Sequence, residues 1–202
     1  SAWGEFTGSI GHTIINDENR LLNAGITLKI TRALAGMEAQ LTGLAFNRVP
    51  AVIPFQKEYF NLTGAQLQYG YSANFDKVDS NRSTIDNIKS FLKNTYTSVS
   101  ADIGIEYIFL ADEDKDLFGG YAYETKLGIS LLDIGRNKYA YSSRSRIATG
   151  VRNGVTDTLV ENKFSGAGDI DAFNDSLASI SAAISAQQGN FFVNQPTRLL
   201  LN

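Results

Sequence analysis

Charged side chains stand in the middle of stretches where apolar and polar residues alternate. Asp102 with Glu106, and Glu124 with Lys126, would project to the same side of two neighbouring strands, close enough for cross-strand ion pairs. Paired carboxylates also serve in general acid–base catalysis. No sign of a cleft accompanies them, so we interpret them as charge pairing that fills or hydrates the lumen of a barrel. The candidate lumen-facing charges are Lys29, Asp102, Glu106, Glu124 and Lys126.

The remaining chemistry-bearing residues point to no metal, cofactor or catalytic site. His12 is the only histidine and the chain has no cysteine, so a catalytic triad or a thiolate zinc site has little to build on. The acidic run at 112–116 lacks the glycine and glutamate spacing of an EF-hand, and we predict a solvated hairpin turn there. We therefore expect no cofactor and no enzyme activity.

Charge and hydropathy narrow the classes of partner. The chain has 202 residues, with 18 Lys plus Arg against 21 Asp plus Glu and a net charge of -3. No basic run offers the electrostatic footprint of a nucleic-acid-binding surface. No stretch approaches the ~20 apolar residues of a transmembrane helix, so a closed barrel of strands is the remaining way to span a bilayer.

Strict alternation of apolar and polar residues predicts long strands with one apolar and one polar face. It is clearest at 22–31 and returns at 65–75, 101–109 and 123–131, with weaker copies at 4–15 and 37–46. The polar run 16–19 predicts a hairpin turn between the first two strands. Several strands reach about 10 residues, which matches the ~9–11 needed to cross a bilayer and exceeds the usual ~5–6.

Two segments have helical rather than strand periodicity. Apolar residues at 83–94 follow a candidate N-cap at Ser83 or Thr84, and those at 169–188 step by three and four up to Gly189. We predict helical insertions over both, in loops or as a plug, and a long loop over 142–168. No linker divides the chain, so a single β-rich domain over 1–202 is predicted.

Aromatic residues cluster near the predicted strand ends. In a barrel they would form girdles at the two lipid–water interfaces, and in a soluble sheet they would belong to the core. Both alternatives stay open at this point. The candidate girdle comprises Trp3, Tyr107, Phe109, Tyr121 and Tyr123.

Four short sequence motifs follow one another along the chain. They are 21–29 (LLNAGITLK), 101–107 (ADIGIEY), 126–135 (KLGISLLDIG) with Tyr139 after it, and 195–199 (QPTRL). In this order they resemble an uncharacterised outer-membrane β-barrel family of Bacteroidota. The resemblance implies a longer protein with a signal peptide, further strands on both sides and, in some members, a C-terminal OmpA-like peptidoglycan-binding domain. It implies no catalytic residues. We expect this chain to be an internal fragment of such a protein.

The predicted fold class is mainly β, with antiparallel strands forming part of a transmembrane β-barrel. The expected function is a structural, envelope-assembly or transport-type role in the bacterial outer membrane. Membrane lipid is the expected partner, with other envelope proteins or peptidoglycan reached through regions outside this chain. The alternative is a soluble β-rich module, in the periplasm or at the cell surface, that binds an apolar ligand or a protein.

Overall fold

The structure is a computed structural model that describes residues 1–53, 57–115 and 121–202, with the backbone alone for 111–115, 121 and 122. Within these ranges it is mainly β, with antiparallel sheets and three α-helices. Two compact units are distinguished, each built from separate stretches of chain. Unit 1 comprises 1–34, 95–138 and 192–202, and unit 2 comprises 35–94 and 139–191.

The sheet of unit 1 has the order β1-β2-β5-β6-β10, and β9 also pairs with β6. Its edge strands are not paired with each other among the described residues, so this sheet is open. The alternation at 22–31 and 101–109 correctly predicts strands, although the strands extend beyond the predicted bounds. They are β1 (Ala2–Asp17), β2 (Arg20–Ala35), β5 (Thr97–Lys115), β6 (Tyr121–Ala140), β9 (Asn190–Asn194) and β10 (Arg198–Leu201).

The turns of this sheet follow the predicted connections in part. The turn between β1 and β2 lies at residues 18 and 19, inside the predicted 16–19. The acidic run predicted as a turn differs, because β5 continues through it to Lys115. Residues 116–120, which include Asp116, Gly119 and Gly120, lie outside the described residues.

An irregularity in β6 reverses which residues face which side. Ala101 pairs with Ile134 but Ile103 pairs with Leu131, so one residue of β5 is opposite two of β6. Asp133 lies in this bulge with φ 58°, the left-handed conformation that Asp tolerates better than most residues. The bulge lets Leu131 and Ile134 share one face while Asp133 points to the other.

Unit 2 is a four-stranded sheet covered by helices. The sheet order is β3-β4-β7-β8, and its core of Tyr69, Ala148 and Leu177 is packed by Phe164 and Phe173 from the helices. The Tyr69 and Phe173 rings meet edge to face, with centroids 5.4 Å apart. Its elements are β3 (Met37–Val49), β4 (Tyr59–Tyr71), a 3-10 segment (Ala73–Lys77), α1 (Thr84–Lys93), β7 (Arg146–Val151), α2 (Asp157–Phe164), α3 (Ile170–Ile180) and β8 (Ser181–Ala186).

One helix prediction is confirmed, the second is corrected in its extent, and the predicted loop between them in unit 2 is wrong. Helix α1 begins after Ser83, whose side chain accepts a hydrogen bond from the backbone N–H of Asp86, as predicted. The predicted helix 169–188 ends at Ile180, because 181–186 pair with β7 instead. The predicted loop 142–168 was wrong, since it contains β7 and α2. The Thr156 side chain caps α2 by accepting a hydrogen bond from the Leu159 backbone N–H. A threonine at this position is a local signal for the start of a helix, and the loop prediction missed it.

Two glycines of unit 2 lie under tyrosine rings. A Cβ at Gly36 would come within 2.7 Å of the Tyr139 ring, and a Cβ at Gly70 within 2.4 Å of the Tyr141 ring. Both tyrosines stack on Phe191, at centroid distances of 5.2 Å and 4.8 Å. The aromatic rings thus cover backbone positions that carry no side chain of their own.

We expect Gly70→Ala to destabilise the protein, because the Tyr141 ring must move out of its stack on Phe191. The expected loss is about 1–3 kcal/mol in the free energy of unfolding, measured by urea denaturation. Gly166→Ala is the matched control, since nothing lies within 4 Å of a Cβ there. Equal effects of the two substitutions would contradict this packing role.

Candidate functional site

The sheet of unit 1 is inverted relative to an ordinary soluble sheet. On β2 the apolar residues are exposed, with Leu28 at 56% and Ile30 at 57%, whereas Lys29 is 7% and Thr31 0% exposed. The same inversion holds on β5, where Val99 is 65% exposed and Ser100 is 2%. We call these the apolar face and the polar face of unit 1. The polar face holds the candidate site.

A four-residue ionic cluster lies on the polar face, where Lys29, Asp102 and Asp133 are largely buried and the Arg198 side chain is 63% exposed. The Lys29 ammonium lies 2.8 Å from a carboxylate oxygen of Asp102 and 2.6 Å from one of Asp133. The other Asp133 oxygen lies 2.8 Å from the Arg198 guanidinium. Asp102 also accepts a 2.7 Å hydrogen bond from the backbone N–H of Asp133, which the bulge directs toward it. The two positive and two negative charges sum to zero.

A second, more exposed ion pair lies further along the same sheet. Lys126 and Glu106 are 2.5 Å apart, and each side chain is about one third exposed. The Asn23 side-chain amide donates a 3.4 Å hydrogen bond to Glu106. Lys126 pairs with Ile108, two residues along β5 from Glu106, so the two charges meet diagonally across the strands. Glu124 is exposed and falls where the pairing of β5 with β6 shifts by one residue.

Sequence reasoning identified Lys29 and Asp102 but missed Asp133 and Arg198. The alternation of β6 changes phase between Leu131 and Ile134, and that change is the available signal of an extra residue. Arg198 gave no comparable signal, because its place beside Asp133 depends on β10 pairing with β6, where Arg198 is opposite Leu132. Thr31 and Asn137 extend the polar face with a buried 2.9 Å hydrogen bond.

The residues of the candidate aromatic girdle lie at several places in unit 1. Tyr107 and Phe109 lie together on the apolar face, with centroids 4.7 Å apart. Tyr123 is exposed opposite Leu110. The Trp3 indole N–H donates a hydrogen bond to the Glu5 carboxylate. Trp3 lies on the same side of β1 as Ser9, and the hydroxyls of Ser9 and Thr27 form a hydrogen bond on the polar face. The Tyr121 side chain lies outside the described residues.

Two aromatic–cation pairs that the sequence did not reveal lie at the other end of this sheet. Lys138 stands over the Tyr96 ring at 4.7 Å, and Arg136 over the Phe192 ring at 4.3 Å. These distances are typical of cation–π contacts. They lie beyond Ile134, the last exposed aliphatic residue of β6.

Unit 2 has its own polar cluster, centred on Asp76. The carboxylate accepts hydrogen bonds from the Ser142 hydroxyl at 2.7 Å and from the Ser143 backbone N–H at 3.0 Å. Burial alone would raise the pKa of Asp76, but these bonds and one from the Tyr71 hydroxyl outweigh it, so the pKa lies below its usual value. The same carboxylate lies 3.7 Å from Arg144. This cluster fixes the turn after β6.

Within residues 1–53, 57–115 and 121–202, no group of three or more His, Asp and Glu side chains is arranged to hold a metal ion. Nor does any helix described there have both the length and the apolarity to cross a membrane.

The fold and the site define a mainly β protein with an exposed apolar sheet face and a largely buried ionic cluster behind it. Comparison with protein-family models, curated proteins and solved structures gives no match to this chain. The resemblance to a Bacteroidota outer-membrane family therefore stays a prediction.

Proposed function

We propose that unit 1 is part of the wall of an outer-membrane β-barrel with a structural, envelope-assembly or transport-type role and no catalysis. The inversion of its sheet carries the proposal. If unit 1 were a soluble protein, water would cover Leu28, Ile30, Val99 and their exposed apolar neighbours. The charged Lys29 side chain would meanwhile be buried away from water. In lipid both arrangements are favourable, because the apolar face meets hydrocarbon and the polar face meets the barrel interior.

The length of the apolar face supports a lipid environment. The exposed aliphatic residues of β5 lie between Tyr96, just before the strand, and Tyr107. These two tyrosines are eleven residues apart. At ~3.3 Å per residue this is about 36 Å along the strand, or about 28 Å across a bilayer at a tilt of about 40°. Apolar bands of barrels are ~25 Å tall, and aromatic and basic side chains mark their edges.

Every backbone polar group in lipid needs a partner, so an open sheet cannot stand alone there. The proposal therefore requires further strands beside β1 and β10, from this protein or from another chain. The resemblance to a Bacteroidota barrel family points to the first source. Peptidoglycan or other envelope proteins would then be reached through regions outside this chain.

A second candidate function rests on unit 2. An apolar groove of about 540 Å³ lies between the β3–β4 hairpin and α2. Phe46 and Phe60 meet edge to face within it, at a centroid distance of 5.5 Å. A soluble module that binds an apolar ligand would use this groove. It is lined by Leu44, Phe46, Phe60, Leu62, Asp157, Val160 and Glu161.

Cell fractionation distinguishes the two candidates. For the barrel, we expect the protein in the detergent-extracted outer-membrane fraction, with a gel mobility that changes on boiling because a folded barrel resists the detergent of the gel. A known periplasmic protein in the same cells is the control for leakage. Recovery in the soluble periplasm as a monodisperse, detergent-free protein that an apolar ligand stabilises would support the second candidate and refute the first.

A further inference from the structure

Beside the ionic cluster, two polar side chains of unit 1 have atoms that no described protein group satisfies. The atoms are the Ser100 Oγ and both the Oε1 and Nε2 of Gln195. Ser100 is 2% exposed and Gln195 is 3% exposed. Buried side-chain polar atoms in folded proteins nearly always have a hydrogen-bond partner. Their partner is therefore expected to be a molecule other than the chain itself.

Both residues adjoin Gly135 of β6, Ser100 through strand pairing and Gln195 through a backbone hydrogen bond. Ser100 pairs with Lys29 on one side and with Gly135 on the other. The Gln195 backbone N–H donates a 3.0 Å hydrogen bond to the Gly135 carbonyl. A Cβ at Gly135 would lie 2.4 Å from the Ser100 Cβ, so the serine occupies the space above the glycine. Ser100 and Gln195 therefore adjoin the same glycine, which places no side chain of its own between them.

The neighbouring charges limit what could bind. The Lys29 ammonium has three N–H donors, and Asp102 and Asp133 take two of them. Because the four charges of the cluster sum to zero, they favour neither a cation nor an anion. Ser100 and Gln195 offer both donors and acceptors, and a small neutral molecule that donates and accepts meets this need.

We propose that ordered water binds between Ser100 and Gln195, next to Lys29, and forms part of the folded cluster. Buried waters of this kind make about three hydrogen bonds to protein groups that would otherwise lack partners. The site does not depend on whether the apolar face contacts lipid.

A double-mutant cycle tests this site through Ser100→Ala, Gln195→Leu and the combined variant. Each single change removes a water ligand, so each should raise the unfolding equilibrium constant. Either single substitution is expected to remove the water, so the second substitution has less left to lose. The unfolding equilibrium constant of the combined variant should therefore rise by at least about twofold less than the product of the two single increases. Urea denaturation of the whole chain provides these constants.

The matched control pairs Gln195→Leu with Ser181→Ala. Ser181 is equally buried, but its hydroxyl donates a 2.7 Å hydrogen bond to the Leu177 carbonyl in the other unit. The increases in the unfolding equilibrium constant caused by Gln195→Leu and Ser181→Ala should therefore multiply in the combined variant. The proposal is overturned if either Ser100→Ala or Gln195→Leu stabilises the protein, as removal of an unsatisfied polar group would, or if their effects also multiply.

Discussion

Lys29→Met should reduce the free energy of unfolding by about 3–5 kcal/mol, the cost of breaking a buried ion pair and leaving its partners uncompensated. The lysine side chain is only 9% exposed and neutralises two carboxylates. Asp133 keeps its contact with Arg198, which is the reason to expect the lower end of this range. Urea denaturation followed by tryptophan fluorescence or circular dichroism measures the change.

Lys126→Met is the matched control on the same sheet. Its pair with Glu106 is equally short but about one third exposed, and exposed pairs contribute only about 0–1 kcal/mol. Adding Asp102→Asn to Lys29→Met should restore part of the lost stability, because a neutral amide is less costly to bury than a carboxylate. If Lys29→Met and Lys126→Met were equally harmful, burial of the first cluster would not determine its strength.

Leu28→Arg provides the sharpest mutational test of the proposed lipid contact. Leu28 lies in the middle of β2, is 56% exposed and pairs with Ala101 of β5. An arginine near the bilayer midplane on the lipid face of a barrel costs about 2–4 kcal/mol. On a water-exposed surface the same substitution usually changes stability by less than about 0.5 kcal/mol. The measurement is urea unfolding in lipid vesicles.

Ile85→Arg is the control for this substitution. Ile85 lies in α1 of unit 2 and is 65% exposed, so it combines comparable exposure with a place outside the proposed membrane wall. We expect it to leave stability nearly unchanged. A small effect of Leu28→Arg, equal to that of Ile85→Arg, would mean that water and not lipid covers the apolar face.

Long two-faced strands could be predicted from the sequence alone. The alternation around Leu28 and Ile103 has a period of two, and a strand is the conformation that sends successive side chains to opposite sides. It also assigned Lys29, Asp102, Glu106 and Lys126 to one face, because side-chain direction in a regular strand follows from residue number. The helix α1 was predictable for a similar reason, since its cap at Ser83 and its apolar spacing are local.

Other elements depended on partners distant in sequence. The helical spacing of 169–188 is followed only to Ile180, because the next residues satisfy their backbone groups against β7. β7 itself has only six residues and no clear alternation, so nothing local distinguished it from a loop. Strand pairing supplied the hydrogen bonds that local preference could not foresee.

The polar face shows most clearly which features follow from the sequence and which depend on the tertiary structure. By itself the sequence determined that charged residues lie among strands with one apolar face, since alternation is a local property. Only the tertiary structure decided that Asp133 and Arg198 join Lys29 in one ionic cluster. The bulge that turns Asp133 and the pairing that brings in Arg198 are set by neighbouring strands. Charge interactions fall off with distance, so such a cluster exists only where the fold brings its members within contact.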